Sequence, residues 1–407
     1  MATFIISLII PFLILGPFFP DLIISLSSLV FLIYVIKNKA FYYFNNKPLI
    51  IFFTFCIYCI LLSIFVAKNT LLSFESSLFY FRIGVFACLI WYLIEKNKKI
   101  LNYFYYTLII CFLVFIVDGY FQFFNGTNII GLSTKSAKRI SSFFGTELTM
   151  GSYLSRLSPL LFALFLLKKK KKLELYCMSI FFTLLACLIY ISGERAAFFL
   201  YILSFIFIMI FTKQNLKFKM TLLAGSLILI AVFTLNFVKI KHRMISQPIE
   251  TINKSIFTPE HDSLIRTAYN MFLDKPIFGH GPKMFRVLCK DEKYTIGKTP
   301  CMTHPHNFYI QLLAETGIIG FSFLFSVFVY VLYCSYRQFK SMVSRQKEYL
   351  SDYQVCLLAG ILITVWPITT NGNFFNNWLM IVYSLPVGFY LHSIYGKNKE
   401  EVSKIQN

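Results

Sequence analysis

The sequence contains little charge: only 14% of its 407 residues are Asp, Glu, Lys or Arg, whereas a soluble protein carries about 25%. Its N-terminus lacks a cationic region and a small-residue cleavage site, so the first apolar run is expected to be retained as a membrane span. Although the net charge is +21, no basic segment is studded with the aromatic residues that stack on bases. These absences exclude an ordinary soluble domain and predict no nucleic-acid partner.

Apolar runs of about twenty residues fill the chain instead, and each is long enough to cross a bilayer. Because the backbone must satisfy its own hydrogen bonds in lipid, such runs become helices. The sequence therefore predicts an all-α polytopic membrane protein in which residues 1–407 form a single integral membrane domain. The expected spans, about twelve in number, are 3–19, 21–37, 48–67, 72–94, 100–124, 148–168, 174–192, 195–212, 219–239, 306–335, 352–371 and 377–395.

Lys and Arg residues concentrate in short segments between the spans, and the positive-inside rule assigns such segments to the cytoplasm. With an even number of spans, this rule predicts that both termini lie on the cytoplasmic side of the membrane. Membrane lipids with acidic headgroups or an anionic substrate are the expected partners of the net positive charge. The basic segments are 37–47, 95–99, 168–172, 213–219, 337–347 and 397–404.

The segment 240–305, between the ninth and tenth expected spans, is polar and rich in proline. Long loops in compact proteins are usually functional, so we expect a large periplasmic loop that contains short helices. Apolar residues recur at helical spacing over 261–272 and predict an amphipathic helix on the membrane surface, capped by Asp262 or Ser263. Arg266 lies on this helix, either as a solvated residue or as part of a site.

The tenth span begins with polar residues in a helix that is otherwise apolar. Asn307, Gln311 and Glu315 follow one another at i, i+4, so they share a face. A polar face within hydrocarbon points into the protein and usually marks a site. His306 lies at the mouth of this helix, where it is either a general base or an interfacial cap.

Two cysteines differ from the rest. Most cysteines lie in spans and behave as small apolar residues, but Cys289 and Cys301 fall in the long loop just before His304 and His306. In an oxidising compartment they would form a disulfide, and otherwise they are free thiols. The two histidines have no Cys or carboxylate at ligand spacing, so no metal is expected.

Charged residues also lie at the outer ends of other spans. Arg195 either snorkels to the headgroups, paired with Glu194, or binds an anion at a helix N-terminus. Asp118 and Gln122 are spaced at i, i+4 near the end of the fifth span, and Arg139 begins a further basic and polar cluster. Asp118 either pairs structurally with an arginine or contacts an acceptor.

Four segments follow one another in the order of a known family's motifs: RISSFFG at 139–145, SGERAA at 192–197, PIFGHGP at 276–282 and HPHNFYIQLLAETGIIG at 304–320. They resemble the motifs of the O-antigen ligase and O-antigen polymerase superfamily, and Arg266 is placed as that family's loop arginine is. The sequence departs from the family pattern at Glu147, where an Asn-bearing turn is usual, and at Glu194, where Ser often precedes the arginine.

The resemblance implies a glycosyltransferase with a GT-C-like helical bundle, whose donor is a glycan on undecaprenyl pyrophosphate. The acceptor would be a lipid A–core sugar hydroxyl in a ligase, which we favour, or a second lipid-linked repeat unit in a polymerase. Guanidinium groups suit pyrophosphate oxygens, so we expect a reaction without metal or other cofactor. Direct displacement by the acceptor would invert the anomeric centre. The implied roles are His306 as catalytic base, Arg195, Arg266 and Arg139 on the donor pyrophosphate, and Asn307, Gln311, Glu315 and Asp118 in support.

Two other classes of function fit the same composition. A transporter of the lipid-linked glycan would need two-sided access and no proton acceptor at His306, and the absence of a visible repeat between the two halves of the sequence disfavours it. A non-catalytic scaffold would need neither Arg195 nor His306.

Overall fold

The computed structural model of the protein describes residues 2–133, 139–168, 171–252 and 257–397. Parts of three segments discussed above, 168–172, 240–305 and 397–404, therefore lie outside the described residues. Within the described residues the chain is helical, without a β-strand, and an isolated bridge joins Thr127 to Ser133.

Helices follow one another along the chain, and most of the longer ones coincide with the apolar runs of the sequence. They are α1 (Ala2–Ser7), α2 (Ile9–Leu15), α3 (Phe18–Lys37), α4 (Lys47–Phe65), α5 (Thr70–Leu78), α6 (Arg82–Lys96), α7 (Lys99–Asn125), α8 (Met150–Leu166), α9 (Lys172–Ile191), α10 (Arg195–Phe211), α11 (Leu216–Asn236), α12 (Val238–Lys241), α13 (Gln247–Ile252), α14 (Pro259–Asp274), α15 (Phe285–Leu288), α16 (Phe308–Val343), α17 (Asp352–Thr364) and α18 (Asn377–Tyr395).

The described residues contain eight helical segments long and apolar enough to cross a membrane, with α5 and α6 taken together as one. Three shorter apolar helices, α8, α10 and α17, accompany them. The prediction of an all-α, multi-pass membrane protein is confirmed, whereas the count of twelve spans stays a prediction. The first expected span, 3–19, is divided: α1 ends at Ser7, whose carbonyl has no amide partner at Pro11 because proline lacks an N–H.

Helix α8 lies at the centre of the bundle. Every residue of its last three turns is buried, and it packs against α7, α9, α10, α17 and α18. A helix that is apolar on all sides belongs in such a position. The exception is Arg156, which is buried halfway along this helix.

The chain between α11 and α16 returns to the bundle through α14. This amphipathic helix was expected, and its apolar residues pack on α16. The cap predicted at Asp262 or Ser263 is wrong, because the helix begins at Pro259 after Thr258. Proline at the first helical position needs no N–H partner and already has a helical φ, so the helix starts one turn earlier.

A kink in α16 joins this returning segment to the membrane helices. Gly317 interrupts α16 with a φ of 64°, and the turn that follows α14 bonds to the interruption through its backbone. The amide of Ile318 donates to Pro276 O at 2.9 Å, and the amide of Gly281 donates to Glu315 O at 2.7 Å. A Cβ atom at position 317 would overlap the carbonyl oxygen of Ile277, so this joint requires glycine.

We expect Gly317→Ala to destabilise the protein strongly. The backbone of Gly317, with a φ of 64° and a ψ of −168°, is essentially restricted to glycine and costs another residue about 1–3 kcal/mol. The overlap with Ile277 adds to this cost. Gly126→Ala is the matched control, because Gly126 also has a positive φ, 82°, but a Cβ atom at that position would have no neighbour within 4 Å. Thermal unfolding in detergent should give a larger loss for Gly317→Ala, and equal losses would contradict a role for the close contact.

Candidate functional site

The polar face predicted at the start of α16 forms a buried hydrogen-bond network. Glu315 and Gln311 are both fully buried. One carboxylate oxygen of Glu315 accepts from the Phe285 amide at 3.0 Å and the other from Gln311 Nε2 at 3.0 Å. Gln311 Nε2 also donates to Asn373 Oδ1 at 2.9 Å, and Gln311 Oε1 accepts from the Phe374 amide at 3.0 Å. These side chains position the segments that carry α15 and residues 373–375.

The residues just before α16 are held in a defined conformation. Asn307 caps the helix, since its Oδ1 accepts from two amides of the first turn at 3.0 and 3.1 Å. Its Nδ2 donates to Pro367 O at 2.7 Å. The preceding His306 has a left-handed backbone with a φ of 58°, and its carbonyl accepts from the Asn371 amide at 2.8 Å. The loop after α17 therefore fixes His306.

Three imidazoles meet at this point. The ring centroid of His306 lies 4.1 Å from that of His304 and 5.4 Å from that of His261 in α14. Burial and the neighbouring His261 lower the pKa of His306. Burial, followed by the nearby His306, lowers the pKa of His304 to about 3. Both side chains are thus neutral near pH 7, which is the form in which an imidazole accepts a proton.

Arg195 belongs to a group of three arginines with Arg139 and Arg243, all half-buried. Burial, followed by the charges of Arg195 and Arg139, lowers the pKa of Arg243, so the three like charges lie close together. Among the described residues, no carboxylate forms an ion pair with any of the three. The charge of Arg139 acts on the carboxylate of Glu194. Because three guanidinium groups outnumber this one carboxylate, the cluster keeps a net positive charge, and such a cluster attracts anions. Through Arg195, whose charge also acts on His261, the cluster adjoins the imidazoles.

The turn that carries Arg195 is braced from both sides. Glu194 does not pair with its neighbour; its carboxylate accepts from the amides of Gly151 at 2.6 Å and Ser152 at 3.0 Å at the start of α8. Arg243 donates from Nε to Gly193 O at 3.2 Å. Both contacts fix where α10 begins.

Asp118 and Gln122 hold the loop that leads to Arg139. Asp118 is fully buried; it accepts from Ser142 Oγ, and also from the Ile129 amide at 2.8 Å. Gln122 Oε1 accepts from the amides of Ser141 at 3.1 Å and Ser142 at 2.7 Å. Asp118 pairs with no arginine among the described residues, and its role toward an acceptor stays a prediction.

Arg266 stands apart from this group. It pairs with Asp262 one helical turn away, at 3.0 Å, and 63% of its side chain is exposed. Within the described residues, Arg266 makes no contact with the other three arginines. Its assignment to the donor pyrophosphate therefore stays a prediction.

The structure joins Cys289 and Cys301 as a disulfide, with Cα atoms 4.9 Å apart. The bond ties the end of α15 to the chain three residues before His304. In the described residues, no group of three or more His, Cys, Asp and Glu residues has the arrangement of a metal site.

Sequence reasoning missed Arg156, Arg243 and Arg286. Arg243 follows Lys239 and Lys241 and so resembled the basic flank of a span. Arg156 lies inside an expected span, where an ionisable residue signals function, so this signal was available. Its guanidinium stacks on Tyr383, 3.8 Å from the ring centroid, and donates to Asn371 Oδ1 at 2.8 Å.

The fold thus defines a multi-pass helical membrane protein, and its candidate site combines three imidazoles with a group of three arginines. A family model described as O-antigen ligase matches residues 180–325, which confirms the resemblance seen in the sequence. The matched segment runs from α9 into α16 and includes Arg195, Arg243 and His306, whereas Asp118 and Arg139 precede it.

The chain is also similar to a teichuronic acid biosynthesis protein of Bacillus subtilis. The two are 21% identical over 119 residues, which is 29% of this chain. The match spans 24% of the length of that relative.

We expect Cys289 and Cys301 to resist alkylation until they are reduced. In denaturant without reductant, mass spectrometry should count eight alkylated cysteines, because the other eight are free. After reduction it should count ten. The double variant Cys289→Ser, Cys301→Ser should give eight under both conditions, and ten alkylated cysteines in unreduced wild type would show that the bond is absent.

Proposed function

We propose that the protein transfers a glycan from undecaprenyl pyrophosphate to a sugar hydroxyl of lipid A–core, as an O-antigen ligase of the bacterial inner membrane. The match to the O-antigen ligase family supports an activity of the ligase or polymerase type in polysaccharide biosynthesis. The observation that carries the proposal is the contact of His306 with His261, on which the charge of Arg195 acts; Arg195 in turn belongs to the group of three arginines.

The arginine cluster suits the donor. A lipid pyrophosphate is already an activated leaving group, and the charge that develops on it needs cationic hydrogen-bond donors. Arg139, Arg195 and Arg243 supply such donors, and their planar forks match phosphate oxygens. Arg266 is the fourth candidate and would need to leave Asp262 to take part.

His306 suits the acceptor. An imidazole nitrogen takes the proton of the sugar hydroxyl while its oxygen bonds to the anomeric carbon of the donor glycan. The bond from that carbon to the pyrophosphate oxygen breaks, and its electron pair leaves with undecaprenyl pyrophosphate. A single displacement of this kind inverts the anomeric centre. The site then faces the periplasm, with both chain termini in the cytoplasm and residues 240–305 as the large periplasmic loop.

A polymerase, which joins lipid-linked repeat units, is the second candidate. The Bacillus subtilis relative takes part, by its name, in teichuronic acid biosynthesis, so related chains serve more than one polymer. A transporter of the lipid-linked glycan would need no base at His306.

Lipopolysaccharide gels of a deletion strain of the native host test these functions. Complementation with Arg195→Ala or His306→Ala should leave core without O-antigen, because the donor loses its counter-charge or the acceptor loses its base. Arg195→Lys should rescue in part, since lysine keeps the charge but not the fork. Lys239→Ala is the control, because Lys239 is an exposed cation near Arg243.

Other outcomes decide between the candidates. Core bearing a single repeat unit would identify a polymerase. An unchanged ladder after deletion would direct the search to another glycan. Full rescue by His306→Ala would show that His306 is not the catalytic base and would favour transport.

The rate of transfer should depend on pH through His306. Since only the neutral imidazole accepts a proton, and burial and His261 lower its pKa below 6.5, the rate should be flat near pH 7 and fall only as the pH drops below 6.5. His261→Asn removes one of the neighbours that lower this pKa, so its acidic limb should move to higher pH. A limb that does not move would contradict the assignment to His306.

A further inference from the structure

A second pair of cations lies in the segment between α14 and α16. Lys283 and Arg286 are half-buried, and neither has a carboxylate within ion-pair distance in the part of the chain that the structure describes. Arg286 Nε is buried and has no hydrogen-bond partner there. Burial, followed by the charge of Arg286, lowers the pKa of Lys283, and the carboxylates of Glu75 and Glu315 oppose this change from a longer distance.

These cations line a cleft of about 1120 Å³. It exceeds the roughly 300–1,000 Å³ of ordinary ligand pockets, so it can hold several sugar rings. Its polar side includes Glu147 and Asn376, whose side chains suit sugar hydroxyls, besides Lys283 and Arg286. None of Arg139, Arg195, Arg243 and His306 lines it.

The opposite side of the cleft is apolar. It is formed by the corner between α2 and α3, with Leu15 and Phe18, and by Phe144 and Trp378. Leu15 and Phe18 are 69% and 67% exposed, so this wall continues onto the lipid-facing surface of the bundle. A cleft with unpaired cations on one wall and such a surface on the other fits an amphiphile that bears an anionic group.

The cleft is also linked to the proposed base. Glu315 accepts from the amide of Phe285 next to Arg286, and Gln311 bonds to Asn373, which lines the cleft. Both Glu315 and Gln311 lie on α16, the helix that begins directly after His306 and Asn307. Arg286 also lies near enough to His304 for its charge to act on that imidazole. Each of the two groups of cations therefore acts on one of the imidazoles, Arg195 on His261 and Arg286 on His304.

We propose that this cleft binds the acceptor, as a phosphate-bearing glycan on a lipid anchor, with its phosphate on Lys283 and Arg286 and its anchor along the corner between α2 and α3. This inference rests on the proposed transfer function and specifies its second substrate site. Two acceptors have this combination of glycan, phosphate and lipid anchor: an anionic glycolipid of the lipid A type and a second lipid-linked repeat unit.

Binding of two probes to the purified full-length protein in detergent tests the proposal. The probes are diphosphoryl lipid A and undecaprenyl pyrophosphate. Arg286→Ala should weaken lipid A binding by at least about tenfold, the scale of a lost charge-assisted hydrogen bond, and leave undecaprenyl pyrophosphate within about twofold. Arg195→Ala should do the reverse.

Two variants serve as controls. Arg286→Lys keeps the charge and should retain most of the lipid A affinity. Lys290→Ala removes an exposed cation shortly after Arg286 and should change neither affinity. Because the charge of Arg286 also acts on the buried carboxylate of Glu315, Arg286→Ala should lower the melting temperature to some extent. The undecaprenyl pyrophosphate affinity that this variant retains shows that the fold is kept.

The stoichiometry distinguishes the sources. If the acceptor is a lipid-linked repeat unit, wild type should bind two undecaprenyl pyrophosphates and Arg286→Ala one, which also supports the proposal. If Arg286→Ala changes the binding of neither probe, or weakens both equally, the cleft is not a separate acceptor site. Transfer activity that survives in Arg195→Ala and His306→Ala would instead contradict the proposed function, whatever the two probes show.

Discussion

Glu315 lies inside an apolar bundle, where an unpartnered carboxylate would be very costly. The Phe285 amide and Gln311 satisfy its oxygens, and each of these contacts fixes a different part of the site. The bond to Phe285 sets the position of α15 and so of Arg286. The bond to Gln311 continues to Asn373 and sets one edge of the cleft. The kink at Gly317 lies directly beyond Glu315 and accepts the turn from α14, which brings His261 to His306. The polar face of α16 is thus a scaffold for the reacting groups.

Charge is distributed along this scaffold in a way that suits a transfer between two anionic lipids. The charge of Arg195 acts on His261, and the charge of Arg286 acts on His304, so each group of cations reaches one of the imidazoles. No carboxylate lies within ion-pair distance of either group in the described residues, although Glu194 and Glu315 act on them from farther away. Surface cations in most proteins are solvated or paired, whereas these are half-buried, so the bundle keeps a cost in repulsion and desolvation. Bound phosphate groups would remove that cost, and the neutral histidines would supply the proton acceptor for the proposed transfer.

The sequence predicted those features that depend on local periodicity. Apolar runs of membrane length indicated the helical class, and the i, i+4 spacing of Gln311 and Glu315 indicated a buried polar face. It predicted α14 as amphipathic but misplaced its start, because Pro259 initiates the helix before Asp262. Long-range partners were beyond its reach. Arg243 acquires its place through Gly193, which precedes it by 50 positions, and Arg286 becomes notable only when the fold opens a cleft beside it. Glu194 likewise resembled a partner for Arg195, although its carboxylate binds the start of α8.

His306 occupies a left-handed backbone conformation that costs a residue other than glycine about 1–3 kcal/mol. The surroundings over-determine it: the Asn371 amide holds its carbonyl, Asn307 caps the next helix, and Arg156 holds the side chain of Asn371. Arg156 itself is buried, against Tyr383 and carbonyl oxygens rather than a carboxylate. A strained backbone and a buried cation thus converge on one imidazole. Packing alone gives no reason to retain either cost. A base that must meet a hydroxyl in a fixed geometry would give such a reason, because a position fixed during folding need not be found again in each turnover.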